Sequence, residues 1–455
     1  MNIKNFLEIV CNEIKYKPIK QEISQEIESH IKEIKEDYIE CGIKEQEAEE
    51  KAIEQMGNAE EIGKELNKIH KPKLDWKLLI LLILLIGFGT INAILKQSAT
   101  GNPYISKTII YILIGFVLGI GIYFFDYRKM KKYSGLIYIF ASASMIFSLW
   151  EIAIPLYTIA FVGYIVNYNK NKFVELKIDN KQIFAINKDL TKITALSIIS
   201  LIIMLLLSTT ITNAIILGSI YLVIITVKII QSKEKCVKRL ITIYGGIIIC
   251  LTVLLLCLIL SNSYSAERLN SSFTYLTERF ISSFKPELYP ESSRGYTGMI
   301  QNEILHNAKL VGEAEKDEIS NANIVEESEH FTFIYLIGKI GILPTIMLVI
   351  VILLICIKIV TNAKNIKDQY GKYLIIGLGT LYIIQSIANI LMNINMGIKT
   401  SIILPFVSDA DVYYVINILC MAIMLSVYRR KDINLYETKP KKEQFIKINT
   451  LYKEA

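Results

Sequence analysis

The chain has 455 residues, 52% of them hydrophobic, and a formal net charge of +7 at pH 7. This hydrophobic content is too high for an ordinary soluble protein of that length. The apolar residues come in blocks of roughly twenty separated by basic clusters, the pattern of membrane-spanning helices. Lys and Arg gather in alternate loops, which sets membrane topology and indicates no nucleic-acid partner. Composition and charge therefore predict an all-α polytopic membrane protein in contact with membrane lipid.

Residues 1–75 differ from the rest of the chain, because they are strongly charged and carry apolar residues at helical spacing. They predict a small cytoplasmic helical domain. Its first helix carries Ile23, Ile27, Ile31 and Ile34 and stops at Gly42; a second carries Ala48, Ala52 and Met56 and ends at Gly57; Asn58 caps a third that runs to about His70. The run from Glu26 to Ile31, with Gly42, Ala48 and Met56–Gly57–Asn58, resembles the HAAS-type or permease prefix domain of Firmicute membrane proteins.

About ten transmembrane helices are predicted within residues 76–431. They are Leu78–Leu95, Thr108–Phe125, Leu136–Trp150, Ile152–Val166, Ile193–Leu207, Asn213–Val227, Ile241–Leu260, Phe331–Val360, Leu374–Leu391 and Val412–Val427. Basic clusters in alternate loops place both termini in the cytoplasm, including a tail at 432–455, and make the segment from Lys170 to Lys192 a polar cytoplasmic loop. The expected location is the plasma membrane, with multiple passes.

One long polar loop, residues 262–330, interrupts the spans and is predicted to face out. It contains twelve acidic residues against six basic ones, with Glu326, Glu327 and Glu329 at its end. Long loops in compact proteins are functional or disordered. The aromatic, Gly and Pro residues of this loop favour the functional interpretation.

The loop and the segment after it contain a recognisable series of residues. It runs Arg279, Pro286, Gly295–Tyr296, Gln301 and Gly312, then Glu329–His330–Phe331, Gln385, Asn389–Ile390, Thr400, Leu404–Pro405–Phe406 and Ser408. This order and spacing resembles the SEDS family (FtsW, RodA and SpoVE), ten-span proteins of bacterial wall synthesis. The resemblance covers roughly residues 75–431 and is most specific from Asn389 to Pro405.

The resemblance implies polymerisation of peptidoglycan from lipid-linked disaccharide (lipid II) at the outer membrane face. A carboxylate acts as general base on the incoming sugar hydroxyl while undecaprenyl pyrophosphate leaves. The family's catalytic Asp is not present here: its position falls on His330, and Glu329 replaces the preceding Thr. Glu329 could serve as the base with His330 as a neighbouring proton acceptor. The alternative is an exposed acidic loop end with an interfacial His.

Six further residues are candidates for substrate binding by the same resemblance: Arg268, Arg279, Gln301, Gln385, Asn389 and Ser408. The two Arg side chains suit binding of a pyrophosphate, because a guanidinium presents a fork of donors. The alternative is that they lie at the membrane interface and anchor the topology. Gln385 and Asn389 lie one helical turn apart inside a span, where polar groups commonly join helices. Asp409 and Asp411 are expected to be solvated loop carboxylates.

Two functions from different classes stay open at this point. The first is SEDS-type peptidoglycan synthesis in cell division, cell shape or sporulation, with a penicillin-binding-protein transpeptidase as a candidate partner. The second is a catalytically lapsed SEDS homologue acting as a membrane scaffold or sensor. Its N-terminal helical domain, residues 1–75, here called the head, would bind a cytoplasmic regulator. No cofactor is expected, since none of the seven Cys shows metal-ligand spacing, and a divalent cation is the alternative left open. The residues leave open whether the chain is an active glycosyltransferase.

The predicted topology has a direct test. A cysteine introduced at Ser292 in a cysteine-free background should react with a membrane-impermeant maleimide in intact cells, because loop 262–330 is predicted to face out. Native Cys41, restored alone in the head, is the control and should react only after the cells are permeabilised. Protection of the cysteine at position 292 in intact cells would contradict the orientation.

Overall fold

The computed structural model describes most of the chain. The described residues are 2–16, 19–69, 71–168, 173–178, 181–208, 210–231, 280–289, 293–314, 328–409 and 411–431, with the isolated positions 242, 245, 246 and 278. They divide into two compact units: one holds Met1–Leu74, Ile366–Asp368 and the chain from Tyr428 onward, and the other holds Asp75–Asn365 and Gln369–Val427. Each unit is described by itself.

Four helices form the N-terminal part of the first unit. They are α1 (Ile3–Glu13), α2 (Lys20–Glu40), α3 (Glu45–Met56) and α4 (Ala59–Ile69). The sequence predicted the last three but not α1, whose Phe6 and Val10 are fully buried in the same core as Ile23 and Ile31. Asn58 caps α4 as expected, since its Oδ1 accepts the N–H of Glu60 at 2.9 Å. The HAAS-type resemblance of these helices stays a prediction.

The second unit is a bundle of apolar helices. They are α5 (Trp76–Thr100), α6 (Tyr104–Phe124), the short α7 (Arg128–Lys132), α8 (Ser134–Ile146), α9 (Trp150–Val166), α10 (Lys188–Leu207), α11 (Ile211–Gln231), α12 (Ser293–Asn307), α13 (Thr332–Ile340), α14 (Ile342–Asn365), α15 (Gln369–Asn393) and α16 (Val412–Arg429). In the described part of the chain, seven of these helices are long and apolar enough to cross a membrane, and α8 and α9 are shorter apolar helices. The predicted span Ile241–Leu260 lies almost entirely outside the described residues. The polytopic all-α class is confirmed, and the chain is a multi-pass membrane protein.

The predicted polar loop Lys170–Lys192 is wrong at its C-terminal bound and includes regular secondary structure. It contains an antiparallel hairpin of β1 (Phe173–Ile178) and β2 (Lys181–Asn187), with Phe173 opposite Asn187. Helix α10 then begins at Lys188, five residues before the predicted span. The hydropathy pattern could not locate that start, because the first turn of α10 is polar.

The predicted single span Phe331–Val360 is also wrong: it is two helices, α13 and α14, separated at Gly341. Gly341 has φ +94°, a conformation that glycine adopts readily. A Cβ there would meet the Val311 backbone at 2.8 Å. The segment 309–312 donates and accepts backbone hydrogen bonds on both sides of the break, including Ile342 N to Lys309 O at 3.0 Å. Tertiary contacts with the polar loop therefore end the first helix.

Helices α15 and α16 are the most buried of the seven long apolar helices, and α6 is the least buried. In the most apolar window of α15, 56% of the residues are buried, against 17% in α6. Gly377 of α15 allows a close approach, because a Cβ there would press on Thr158 of α9 and Ile224 of α11. The exposed Ile, Leu and Phe side chains of α6 suit a surface that faces lipid.

Helix α5 is polar at both of its ends. At its start, Asp75 Oδ1 accepts from Leu78 N at 3.3 Å and lies 3.2 Å from Lys358 Nζ, and Oδ2 accepts from Asn362 Nδ2 at 2.7 Å. We call this the Asp75 end of the bundle. The other end of α5 carries Lys96 and is called the Lys96 end.

The N-terminal core yields a stability prediction. In a fragment of residues 1–74, Ile31→Ala should lower the free energy of unfolding by roughly 2–5 kcal/mol, because Ile31 is fully buried. Ile39→Ala on the same helix is the control, since Ile39 is 41% exposed, and should change it by less than about 0.5 kcal/mol. Denaturant melts followed by circular dichroism measure both; equal effects, or no cooperative melt, would contradict an independent core.

Candidate functional site

Two amides of α15 hold the segment that precedes α13. Asn389 Nδ2 donates to the backbone oxygen of His330 at 3.0 Å and to that of Ile402 at 2.8 Å. Asn393 Nδ2 donates to the same His330 oxygen at 3.1 Å, and its Oδ1 accepts the N–H of Ile334 at 3.2 Å. Both amides are fully buried. These bonds fix the backbone of residues 329–334 against the bundle, since buried polar groups are costly to leave unpaired.

Glu329 and His330, the predicted catalytic residues, lie at this anchored segment. His330 Nε2 is 3.9 Å from Glu329 Oε1, and the side chains are 29% and 38% exposed respectively. Burial lowers the pKa of His330, the Glu329 carboxylate opposes that shift, and the Lys96 ammonium adds to it. The imidazole is therefore neutral at pH 7. Its Nδ1 is buried without a hydrogen-bond partner among the described residues.

Lys96 is the central cation of the Lys96 end, and the sequence reasoning missed it. Its side chain is fully buried, and Nζ lies 2.7 Å from Asp409 Oδ2. Nζ also donates to the backbone oxygen of Ser328 at 3.2 Å and lies 5.8 and 5.7 Å from the ring centroids of Tyr104 and Tyr335. The predicted span Leu78–Leu95 stopped one residue short of it. A lysine directly after an apolar span was the available signal, but such residues commonly reach the interface.

One face of α5 carries the residues that receive the loop before α16. Gly89, Asn92 and Lys96 recur at intervals of three and four, which places them on that face. A Cβ on Gly89 would collide with the backbone oxygen of Phe406, so only glycine permits this approach. Asn92 Nδ2 donates to Asp409 Oδ1 and to the Val407 oxygen, both at 3.1 Å.

The expectation that Asp409 and Asp411 are solvated is wrong. Asp409 is 14% exposed and is held by Lys96 and Asn92. Asp411 Oδ1 accepts the N–H of Tyr413 at 2.8 Å. Burial, followed by the negative charge of Glu329 and then of Glu151, raises the pKa of Asp411 to about 7. The sequence shows neither contact, because the partners are more than three hundred residues away for Asp409.

The other predicted binding residues are placed as follows. Ser408 is buried, and its hydroxyl accepts the N–H of Leu404 at 2.9 Å, which closes the turn that presents Asp409. Gln385 is buried on α15, one turn before Asn389. Gln301 of α12 is fully buried, with both amide atoms unpartnered among the described residues. Arg268 and Arg279 lie outside the described residues. The structure thus brings Glu329, His330, Asn389 and the Ser408 turn to one end of the bundle.

The metal alternative receives no ligand set from the described part of the chain. There, no group of three or more His, Cys, Asp or Glu is arranged to hold a metal ion. The carboxylates at the Lys96 end are instead balanced by Lys96 and by protonation of Asp411 near neutral pH. The question of a divalent cation stays open.

Comparison with known proteins finds similarity in part of the sequence and in the fold. No protein-family model matches the chain. A curated relative, the probable peptidoglycan glycosyltransferase FtsW of Enterococcus hirae, is 26% identical over 164 residues, which is 36% of this chain and 41% of the relative. A solved peptidoglycan synthase complex, described as coordinating polymerization and crosslinking, contains a chain that matches with TM-score 0.58 at 13% identity. The match covers 80% of this chain and 99% of that one.

These similarities support the resemblance of the chain to the SEDS family, although the matched segment spans less than half the length of the FtsW relative. The FtsW relative supplies the sequence similarity, and the synthase chain supplies the shared fold. The rod shape determining protein RodA of Thermus thermophilus also matches, with TM-score 0.49 at 12% identity over 80% of this chain and 99% of RodA. The Asn389 segment, where the resemblance is most specific, contacts His330, the residue at the predicted position of the family's catalytic Asp.

The charge environment of His330 gives a prediction with a definite sign. Glu329→Gln should lower the pKa of His330 further, because the carboxylate favours the protonated imidazole. Histidine-selective NMR of the full chain in nanodiscs measures this pKa, and His330→Asn identifies its signal among the four histidines. Glu313→Gln is the control, since Glu313 pairs with Lys339 at 2.9 Å instead, and it should leave the His330 pKa unchanged. A rise with Glu329→Gln would contradict the pairing.

Proposed function

We propose that this SEDS protein polymerises peptidoglycan strands from lipid-linked disaccharide (lipid II) at the outer face of the plasma membrane. The observation that carries the proposal is the pair of buried amides, Asn389 and Asn393, that fix the Glu329–His330 segment. A catalytic base requires a fixed position, and here the family's Asn segment fixes the place where the family's base belongs. The name of the FtsW relative supports the same activity.

In the proposed reaction, Glu329 is the general base. Its carboxylate takes the proton from the acceptor sugar hydroxyl as that oxygen bonds to the anomeric carbon of the donor. The bond from that carbon to undecaprenyl pyrophosphate breaks, and the pyrophosphate leaves with the electron pair. The partial exposure of Glu329 allows an acceptor to approach it. Arg268 and Arg279 are proposed to meet the pyrophosphate, and Gln301, Gln385 and Ser408 to contribute to binding or to the shape of the site.

Orientation and partners belong to the same proposal. Basic residues in alternate loops support cytoplasmic termini and an outward 262–330 loop. The fold shared with a chain of a synthase complex supports a penicillin-binding-protein transpeptidase as partner. The process, whether division, elongation or sporulation, is not distinguished by these residues.

A second function is favoured by one specific observation. His330, not a carboxylate, occupies the family's catalytic position, and its backbone rather than its side chain is what the bundle holds. This favours a lapsed homologue that acts as a scaffold or sensor, with the separately packed N-terminal helices binding a cytoplasmic regulator.

An assay of polymer formation separates the two. Purified full-length protein should convert lipid-linked disaccharide pentapeptide into polymer, and Glu329→Gln should reduce the rate on the order of a hundred- to ten-thousand-fold by removing the base. His330→Ala should reduce it less, and His330→Asp should raise it. Glu313→Gln, a loop carboxylate paired with Lys339, is the matched control and should retain activity.

The enzyme proposal fails if wild type and His330→Asp form no polymer, alone or with a transpeptidase, while the wild type still supports growth or sporulation. That result would favour the scaffold. Membrane abundance of each variant, measured by quantitative blotting, excludes a loss caused by degradation.

A further inference from the structure

The polar groups at the Lys96 end come from four separate parts of the chain. Lys96 and Asn92 lie on α5, Glu329 and His330 precede α13, Asp409 and Asp411 precede α16, and Glu151 begins α9. Lys96 is the group that contacts two of these parts at once, through Ser328 O and Asp409 Oδ2. Its ammonium thus joins the residue before Glu329 to the loop before α16.

An ion pair whose cation is fully buried is seldom explained by stability alone. Taking both charges out of water costs several kcal/mol, and apolar replacements of similar size are often as stable or more so. Asp409 also uses its second oxygen, which accepts from Asn92 at 3.1 Å. Asn92 is 1% exposed, and its own oxygen has no partner among the described residues. The arrangement therefore fixes geometry and charge more than it adds stability.

The charge count at this end shows what the pair accomplishes. The negative charges of Glu329 and Glu151 act on Asp411, whereas Asp409 is the carboxylate that Lys96 contacts. Lys339 faces the Tyr335 ring from 5.8 Å but pairs with Glu313. The Lys96 ammonium balances the charge of Asp409, and Asp411 is partly protonated near pH 7. Glu329 is the partly exposed carboxylate that lies beside His330.

We propose that Lys96 and Asp409 are a positioning pair for the Glu329–His330 segment, which rests on the proposed function. The Lys96 ammonium holds the carbonyl of Ser328, the residue directly before Glu329. Asp409 balances the charge of that ammonium, so that neither the positive nor the negative charge alone acts on Glu329 and His330. Neither residue takes part in proton transfer.

The test uses three full-length variants in nanodiscs: Lys96→Met, Asp409→Asn and the double variant. Lys96→Met removes a cation and exposes the site to the Asp409 charge, so the pKa of His330 should rise. Asp409→Asn leaves the cation unbalanced, so the pKa should fall. The double variant should return it close to wild type. Histidine-selective NMR reads all three without requiring activity.

The pH–rate profile of polymer formation is the second readout. Its acid limb should move to higher pH in Lys96→Met and to lower pH in Asp409→Asn, and return in the double variant. The maximal rate of all three should fall on the order of tenfold to a hundredfold, since the Ser328 contact or its balance is lost. A merely structural pair would lower the rate of both single variants without opposite shifts.

Lys358→Met is the matched control. Lys358 also pairs with an aspartate of the α5 region, Asp75, but at the opposite end of the helix, and it should change neither the His330 pKa nor the acid limb. Size-exclusion profiles and melting temperatures identify variants that fail to fold, and the double variant keeps the test decisive if a single one does.

The outcomes separate the two proposals. If the wild type forms no polymer, the enzyme proposal fails. The pKa of His330 in Lys96→Met and in Asp409→Asn then still tests the pair, because the two substitutions should shift it in opposite directions. If wild type is active and the His330 pKa is the same in all variants, the positioning proposal is overturned. Parallel losses of rate with an unchanged acid limb would overturn it as well.

Discussion

An ammonium ion without any exposed surface is the constraint on which the polar end of this bundle depends. Lys96 sits at the end of an apolar helix, where an unpaired charge would be very costly. Asp409, the Ser328 carbonyl and two tyrosine rings satisfy it, and those groups come from different parts of the chain. Meeting this requirement brings the loop before α16 and the segment before α13 to the same place.

The same requirement acts through neutral groups on α15. A buried carbonyl needs a donor, and the His330 oxygen receives two, from Asn389 and Asn393. Hydrogen bonds of this kind inside a membrane protein each contribute modestly, of order 1 kcal/mol. Together the two hydrogen bonds fix the backbone at His330. The side chains of Glu329 and His330 therefore extend from a fixed backbone.

The distribution of carboxylates distinguishes this chain from the family pattern it resembles. The family places an Asp where this chain has His330, while Glu329, Asp409 and Asp411 surround that position from two loops. Mutual repulsion and burial raise the pKa of Asp411 to about 7, so this end holds less negative charge than four ionised carboxylates would. Among these carboxylates, Asp409 is the one that pairs with the Lys96 ammonium.

The sequence by itself determined the membrane class, most of the spans, three helices of the N-terminal domain and the resemblance to the SEDS family, because hydropathy blocks, basic loops and local motifs are properties of neighbouring residues. It also pointed to Glu329, His330 and Asn389. Only the tertiary structure decided that Gly341 breaks a predicted span, that a hairpin occupies part of a predicted loop, and that Asp409 pairs with Lys96. Each of these depends on a partner distant in the chain: segment 309–312 for Gly341, strand pairing for the hairpin, and α5 for Asp409. Periodicity carries no information about such partners, so a lysine at a helix end and an aspartate in a loop read as solvated residues until the fold brings them 2.7 Å apart.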